Sequence, residues 1–370
     1  MATIARIEAT AIKPDFSLRW TERAGRCFLS TTIVRVTDSD GCQGIGGFDS
    51  YSPADVDLSV VESVRSLAPA LLGRDADSRE EFLEEMRIGV VFPFSPGPLA
   101  VLDVALWDLA ARRSGLPLYR FLGGARESIP AYASLTTMDT EEEYLAVADR
   151  ARAEGIGAMK VHAWGDPARD VALLRRLRAA DLDMTLMYDA EGVYDRREAL
   201  WVAREIEELD CRWFEAPLPD FDLAGYRDLL ARVDVPILPA GYAMWDVRQF
   251  AEALRDPPWS AARSEITCTL GITWVLKLMR LAAAFDMDLE LVSYGHTMSQ
   301  LAALHVMLAF DNVSYFELPY PVGPWEYAVS TPVRPDEGGL VRAPDAPGLG
   351  LELDWEKVRS LAAGDVALTV

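Results

Sequence analysis

Residues 129–191 read IPAYASLTTMDTEEEYLAVADRARAEGIGAMKVHAWGDPARDVALLRRLRAADLDMTLMYDAE. Three short apolar runs, Ile129–Leu135, Ala158–Ala163 and Thr185–Glu191, alternate with two stretches, Glu141–Ala153 and Pro167–Ala180, whose apolar residues recur at helical spacing. That alternation is the pattern of a parallel strand followed by its helical crossover. Further strand candidates follow at Cys211–Pro217, Pro236–Tyr242, Ala261–Ile266, Leu289–Gly295 and Val313–Pro319. Helical stretches lie between them at Arg196–Leu209, Asp246–Leu254, Gly271–Phe285 and Ser299–Phe310. Eight strands in this order close a ring, so an α/β barrel is expected over residues 128–330.

Residues 1–127 have another texture. Strand candidates at Thr3–Ile12, Phe28–Asp38 and the Gly-rich Gly41–Gly47 precede helical stretches at Asp55–Ala70, Arg79–Met86 and Pro98–Ser114, an α+β order that implies a separate N-terminal domain. The Pro- and Gly-rich segment 331–370 cannot extend the barrel and is expected to pack back on that domain.

Composition narrows the class. Half of the 370 residues are apolar and a quarter are charged, a globular balance without the run of about 20 apolar residues that a membrane span needs. The net charge of −22 excludes a clustered basic face for nucleic acid, and any anionic substrate has to be held by local positive charge. Cys27, Cys42, Cys211 and Cys268 are scattered without C-x-x-C spacing, which suits reduced thiols. The start, MATIARIEATAIKP, has no apolar signal core, and a cytoplasmic protein is expected.

Residues 99–132, LAVLDVALWDLAARRSGLPLYRFLGGARESIPAY, closely resemble the hallmark of the enolase superfamily where its capping domain leads into the barrel. With the strand order after it, the resemblance covers nearly the whole chain and falls in the mandelate racemase/muconate lactonizing enzyme-like branch. It implies a (β/α)7β TIM-like barrel under an α+β cap, a small carboxylic acid as substrate, Mg2+ as cofactor and a homo-oligomer. Active sites of such barrels lie at the carboxyl ends of the strands. Ionisable groups cluster there: Lys160 and His162 two apart on one strand, then Asp189 and Glu191, Glu215, Glu265, His296 and Glu317. A single strand-end charge is as readily a solvated loop charge, but this many on successive strands form a pattern. His305 sits in an amphipathic helix and is read as a satisfied core or surface residue.

The proton α to a carboxylate is very weakly acidic, and its removal gives an enediolate that needs concentrated positive charge. The superfamily meets this with a Lys or His base and Mg2+. By resemblance, Asp189 in YDAEG and Glu215 in WFEAPL stand at the first two metal-ligand positions, while Tyr242 in PAGYAMW replaces the usual third Glu. Three outcomes stay open: Glu191 substitutes, water fills the position, or the metal is gone. The family's K-x-K becomes K-x-H, which implies His162 as base and Lys160 as the partner of a substrate carboxylate. His296 in SYGHTMSQ matches the strand-seven histidine, Glu265 the acid that orients it, and Glu317 in FELPYP a protonated acid on the substrate carboxylate. Two cap loops, Pro14–Gly25 with Arg19 and Trp20, and Gly47–Pro53 with Asp49 and Tyr51, are expected to choose the substrate. The leading expectation is a dehydratase of a hydroxylated carboxylic (sugar) acid. A racemase or epimerase using His162 and His296, and a metal-free, non-catalytic binding paralogue, are the alternatives.

Overall fold

The computed structural model describes residues 2–23, 25–52, 56–89, 96–180, 183–244 and 246–370. Ala24, Pro53 and Asp55, which close or open expected loops and a helix, lie outside the described residues.

The N-terminal domain is a meander of β1 (Ile4–Ile12), β2 (Ser17–Leu18), β3 (Cys27–Asp38) and β4 (Gln43–Ser52), followed by α1 (Val56–Leu71), α2 (Arg79–Gly89) and α3 (Pro96–Ser114). The central β3 pairs antiparallel with β1 and β4, and short β2 pairs with its start. The glycines of β4 have a packing reason. A Cβ on Gly44 would lie 2.1 Å from the Ala105 carbonyl oxygen, and one on Gly46 would lie 2.2 Å from that of Val101, so only glycine lets α3 lie against the strand.

After α4 (Leu118–Phe121), strand and helix alternate: β5 (Ile129–Leu135), α5 (Glu141–Ala153), β6 (Ala158–His162), α6 (Pro167–Ala179), β7 (Thr185–Asp189), α7 (Arg196–Glu207), β8 (Phe214–Glu215), α8 (Leu223–Leu230), β9 (Ile237–Leu238), α9 (Val247–Ala253), β10 (Ala262–Ser264), α10 (Ile272–Ala284), β11 (Leu289–Leu291), α11 (Thr297–Ala309) and β12 (Phe316–Tyr320). Strands β5 to β9 are parallel neighbours in sequence order, β12 returns beside β5, and β10 pairs with β11. Single backbone bonds, Ser260 N–H to the Ile237 carbonyl and Leu289 N–H to that of Asn312, join these pieces into the eight-stranded ring. This is the capped (β/α)7β barrel.

Short polar loops start the barrel helices in one way. The side chains of Thr140, Asp166, Asp195, Asp222 and Asp246 each accept the first free backbone N–H groups, and Thr140 and Asp195 complete capping boxes with Glu143 and Glu198. Beyond the barrel come β13 (Leu340–Val341), α12 (Trp355–Ser360) and β14 (Ala362–Thr369). Strand β14 adds to the N-terminal sheet antiparallel to β1, with Ile7 opposite Leu368 and Ala9 opposite Val366. Among the described residues, no helix is long and apolar enough to cross a membrane.

Candidate active site

The register of the parallel strands sets the site. His162 pairs with Asp189 across β6 and β7, and Asp189 pairs with Glu215 across β7 and β8, so the three form one row at the carboxyl end of the barrel. Lys160 lies two residues back from His162, on the same face. Its ammonium is 3.1 Å from Asp189 Oδ2, 2.9 Å from Glu215 Oε1 and 2.8 Å from Glu317 Oε1. Arg263, mid-strand in β10, completes the ring: Nε is 2.7 Å from Glu215 Oε1 and Nη2 is 2.6 Å from Glu317 Oε2. Ser134 Oγ donates to Glu317 Oε1 at 2.8 Å. All these groups are buried.

Burial alone would neutralise such groups, and their mutual contacts decide otherwise. At Lys160, burial and the nearby Arg263 cation are outweighed by Glu215 and Glu317, and its pKa lies well above the usual value. At Glu317, burial is outweighed by Lys160 and Arg263, and the carboxyl is held down to about 2. At Glu215, burial, opposed by Arg263 and reinforced by Asp189, pushes the carboxyl up to about 8. His162 is buried, yet Asp189 and Glu191 lift its pKa to about 10. The positive charge of Lys160, Arg263 and His162 is thus already matched by surrounding carboxylates. A substrate carboxylate needs a further cation.

A cavity of about 280 Å³ opens over this ring. That is the small end of the ligand-cavity range and suits a small acid. Cap residues roof it: the Trp20 ring lies tilted 5.0 Å from the His162 ring and edge-to-face 4.8 Å from Tyr294 and 5.6 Å from Tyr51. The Trp20 loop is latched to the barrel, since Thr137 Oγ1 donates to the Trp20 carbonyl at 2.6 Å. Asp49, Tyr242, Glu265 and Cys268 also line the cavity.

Several sequence expectations are corrected here. His296 does not join Glu265 and does not line the cavity. Gly295, at φ +147, turns the chain so that His296 caps α11: Nδ1 accepts the Met298 N–H at 3.3 Å, Nε2 lies 2.8 Å from the Tyr327 carbonyl oxygen, and the ring is buried. Glu265 instead accepts from Thr267 Oγ1 at 2.5 Å and Cys268 Sγ at 3.1 Å, neither of them charged, and burial raises its pKa. Glu317 is an ionised partner of Lys160 and Arg263 and not a protonated donor. Lys160 faces three carboxylates, and His162 Nε2 lies 3.1 Å from both Asp189 Oδ2 and Glu191 Oε1, which leaves no free lone pair for a substrate proton. Arg19 pairs with Asp139 and lines a separate cavity with Phe16 and Trp325. Tyr242 lines the mouth half-exposed, its backbone N–H donating to Asp220 Oδ2 at 2.8 Å.

Two residues were not read from the sequence. Arg263 lies two residues before Glu265, so strand alternation puts both toward the barrel interior, but Arg263 sits one turn of the pleat below the strand end where ionisable groups mark a site. Tyr294 lines the cavity with a buried hydroxyl that has no hydrogen-bond partner among the described residues. It precedes His296 by two residues, and the turn at Gly295 decides which of them faces the cavity.

A divalent cation fits this donor set. Among the described residues no group donates a hydrogen bond to the buried Glu215 Oε2, which stands in register with Asp189, and an oxygen so placed takes up a proton or a cation.

A capped (β/α)7β barrel with carboxylates and cations converging at its strand ends is the enolase-type architecture. The chain belongs to the mandelate racemase/muconate lactonizing enzyme family: residues 143–358 match the enolase C-terminal domain-like family, and residues 21–123 match the mandelate racemase / muconate lactonizing enzyme N-terminal domain. It is 28% identical to L-talarate/galactarate dehydratase of Salmonella typhimurium over 314 residues, 80% of this chain and 72% of that protein. A Pseudovibrio sp. structure classed with the mandelate racemase/muconate lactonizing enzymes superposes over the whole of both chains with TM-score 0.95 and 32% identity. D-glucarate dehydratase from Agrobacterium tumefaciens, complexed with magnesium, superposes with TM-score 0.84 and 27% identity over 98% of this chain and 99% of its own. Other relatives include a cycloisomerase and an epimerase.

Proposed function

We propose that this chain is a dehydratase of a small hydroxylated carboxylic acid, acting through removal of the proton α to the carboxylate. The observation that carries the reading is the division of the cavity into two walls. One wall holds Lys160, His162, Asp189, Glu191, Glu215, Arg263 and Glu317. The other, from the ends of β10 and β11, holds Glu265 and Tyr294, whose oxygens have no charged partner.

A divalent cation, Mg2+ as in the glucarate dehydratase relative, would be held by Asp189, Glu191 and Glu215 and supplies the positive charge that the enediolate needs. Lys160 and Arg263 keep those carboxylates in place and add to the local potential. Glu265 takes the α-proton. Its pKa is raised by burial toward the range in which a carboxylate is an effective base. The C–H electron pair forms the enediolate, which collapses as the β-carbon–oxygen bond breaks, and Tyr294 donates its hydroxyl proton to the departing hydroxide, releasing water. The enol then takes a proton from solvent at the β-carbon and gives its hydroxyl proton to the Tyr294 phenolate, while Glu265 returns the α-proton to solvent, leaving the 2-keto-3-deoxy acid and both residues restored. Tyr294 is a neutral phenol at working pH because burial holds its pKa well above the usual value, so the proton is in place to be given. A two-histidine racemase is disfavoured, since the ring nitrogens of His296 are engaged away from the cavity.

The test is a panel of acid sugars assayed for 2-keto-3-deoxy acid with and without Mg2+. A product from at least one member, lost in Glu265→Gln and Tyr294→Phe, is expected. Epimerised substrate with no keto acid would replace dehydration by racemisation.

A further inference from the structure

We propose that His162 is itself a ligand of the divalent cation, which is held by His162 Nε2, Asp189 and Glu191 rather than by carboxylates alone; the inference rests on the reading that the enzyme uses such an ion. His162 Nε2 and one oxygen each of Asp189 and Glu191 lie within 4.8 Å of one another, with Nε2 3.1 Å from each carboxylate oxygen. Small movements bring three donors so spaced to about 2.0–2.2 Å from one ion. Glu191 is the ligand best able to move, being partly exposed in the turn after β7 with φ +54.

The far side of the ring is built for ligation. Nδ1 lies 2.5 Å from the Leu135 carbonyl oxygen, which can only accept, so Nδ1 keeps its hydrogen, and a cation that displaces the Nε2 proton, now held between Asp189 and Glu191, meets the Nε2 lone pair. A backbone carbonyl on the other nitrogen is the usual support of a metal-bound histidine.

The rest of the ring points the same way. The guanidinium of Arg263 lies against Glu215 Oε1 and Glu317 Oε2, and the ammonium of Lys160 lies against Glu215 Oε1, Glu317 Oε1 and, at 3.1 Å, Asp189 Oδ2, so the β8–β12 half is occupied by this chain's own cations and the β7 carboxylate meets them at one oxygen. The β6–β7 half is where a further cation has donors. Independently, among the described residues no group donates a hydrogen bond to the buried Glu215 Oε2, which stands in register with Asp189, an acceptor at the border of that half. Tyr242 supplies no carboxylate opposite. An imidazole nitrogen in the set also shifts selectivity: Mn2+ and Co2+ should bind more tightly than Mg2+. As a ligand, His162 leaves proton removal to the β10 wall.

The test uses the full chain stripped with chelator, loaded with Mn2+, and read by calorimetry and by electron spin echo modulation, with no substrate present. The wild type should show one tightly bound Mn2+ with imidazole nitrogen coupling, and Mg2+ should bind at least about tenfold more weakly. His162→Gln should abolish the coupling and weaken Mn2+ at least about tenfold, and Glu191→Gln, in a partly exposed turn where misfolding is no concern, should weaken it similarly while keeping the coupling. The other two histidines, His296 and His305, have both ring nitrogens engaged elsewhere and cannot supply the signal. Mn2+ bound without nitrogen coupling, unchanged binding in both variants, or no divalent ion bound would each overturn the proposal. Because no turnover is read, these outcomes are independent of whether the dehydratase reading holds.

Discussion

Replacing Arg263 with Met tests the electrostatic account of the barrel end. The guanidinium is buried, 2.7 Å from Glu215 Oε1 and 2.6 Å from Glu317 Oε2, and Met fills similar volume without charge. Its loss leaves Glu317 with Lys160 as its one cation. Breaking a buried pair by removing one partner costs about 3–5 kcal/mol, because the survivor stays buried and uncompensated. Unfolding entropy is about 2.1 cal/mol/K per residue, or about 0.8 kcal/mol/K for 370 residues, so the melting temperature should fall by about 4–6 °C. The assay is thermal unfolding of the chelator-treated protein at pH 7, repeated in a double-mutant cycle with Glu317→Gln. Removing the orphaned charge should recover part of the loss, with a coupling of about 1–3 kcal/mol. The effect should also depend on pH. Glu317 has a folded pKa below its unfolded value, so its contribution is present above about pH 4.5 and lost as the pH falls toward 2, and the two proteins should converge in acid. A shift under about 1 °C, or strict additivity in the cycle, would refute the network reasoning.

Other outcomes follow from single contacts. Burial holds His305 down to about 4, its Nδ1 accepting the Tyr119 N–H at 3.0 Å; since the unfolded chain binds the proton first, stability should fall by up to about 3 kcal/mol between pH 6.5 and 4, and His305→Gln should flatten that part of a denaturant-measured pH profile. His296→Ala should cost about 1–3 kcal/mol in chemical denaturation by removing the buried imidazole and its contact to the Tyr327 carbonyl, while α-proton exchange in the folded variant stays within a few-fold of wild type. Gly44→Ala should lower stability by about 1–3 kcal/mol, since its Cβ would meet the backbone of α3, which cannot yield.

The fold was legible because barrel strands and crossover helices follow a local rule. Run length and amphipathic spacing mark each unit, and the row His162, Asp189, Glu215 follows from parallel register at strand ends. What local pattern cannot give is the side-chain partner of a buried charge. Arg263 reads as one of three polar residues in Ala261–Ile266 until β8 and β12 are placed beside it, and Lys160 reads as a substrate group until three carboxylates are found around it. His296 failed for a different reason: the motif fits the family, but one glycine at positive φ rotates the next side chain out of the cavity and leaves Tyr294 facing in. The Trp20 and Arg19 pair divides similarly. Adjacent residues in one loop point to different cavities, and only the latch at Thr137 decides which enters the site.

The most direct test of the central claim is exchange of the substrate α-proton in D2O, followed by mass spectrometry of residual substrate and product for any acid that the enzyme turns over. The account predicts a keto acid carrying solvent deuterium at the β-carbon, formed by the wild type and not by Glu265→Gln. Exchange at the α-carbon should persist in Tyr294→Phe, where departure of the hydroxyl is blocked but proton removal is not. Undiminished exchange in Glu265→Gln, or a product without solvent deuterium, would contradict it.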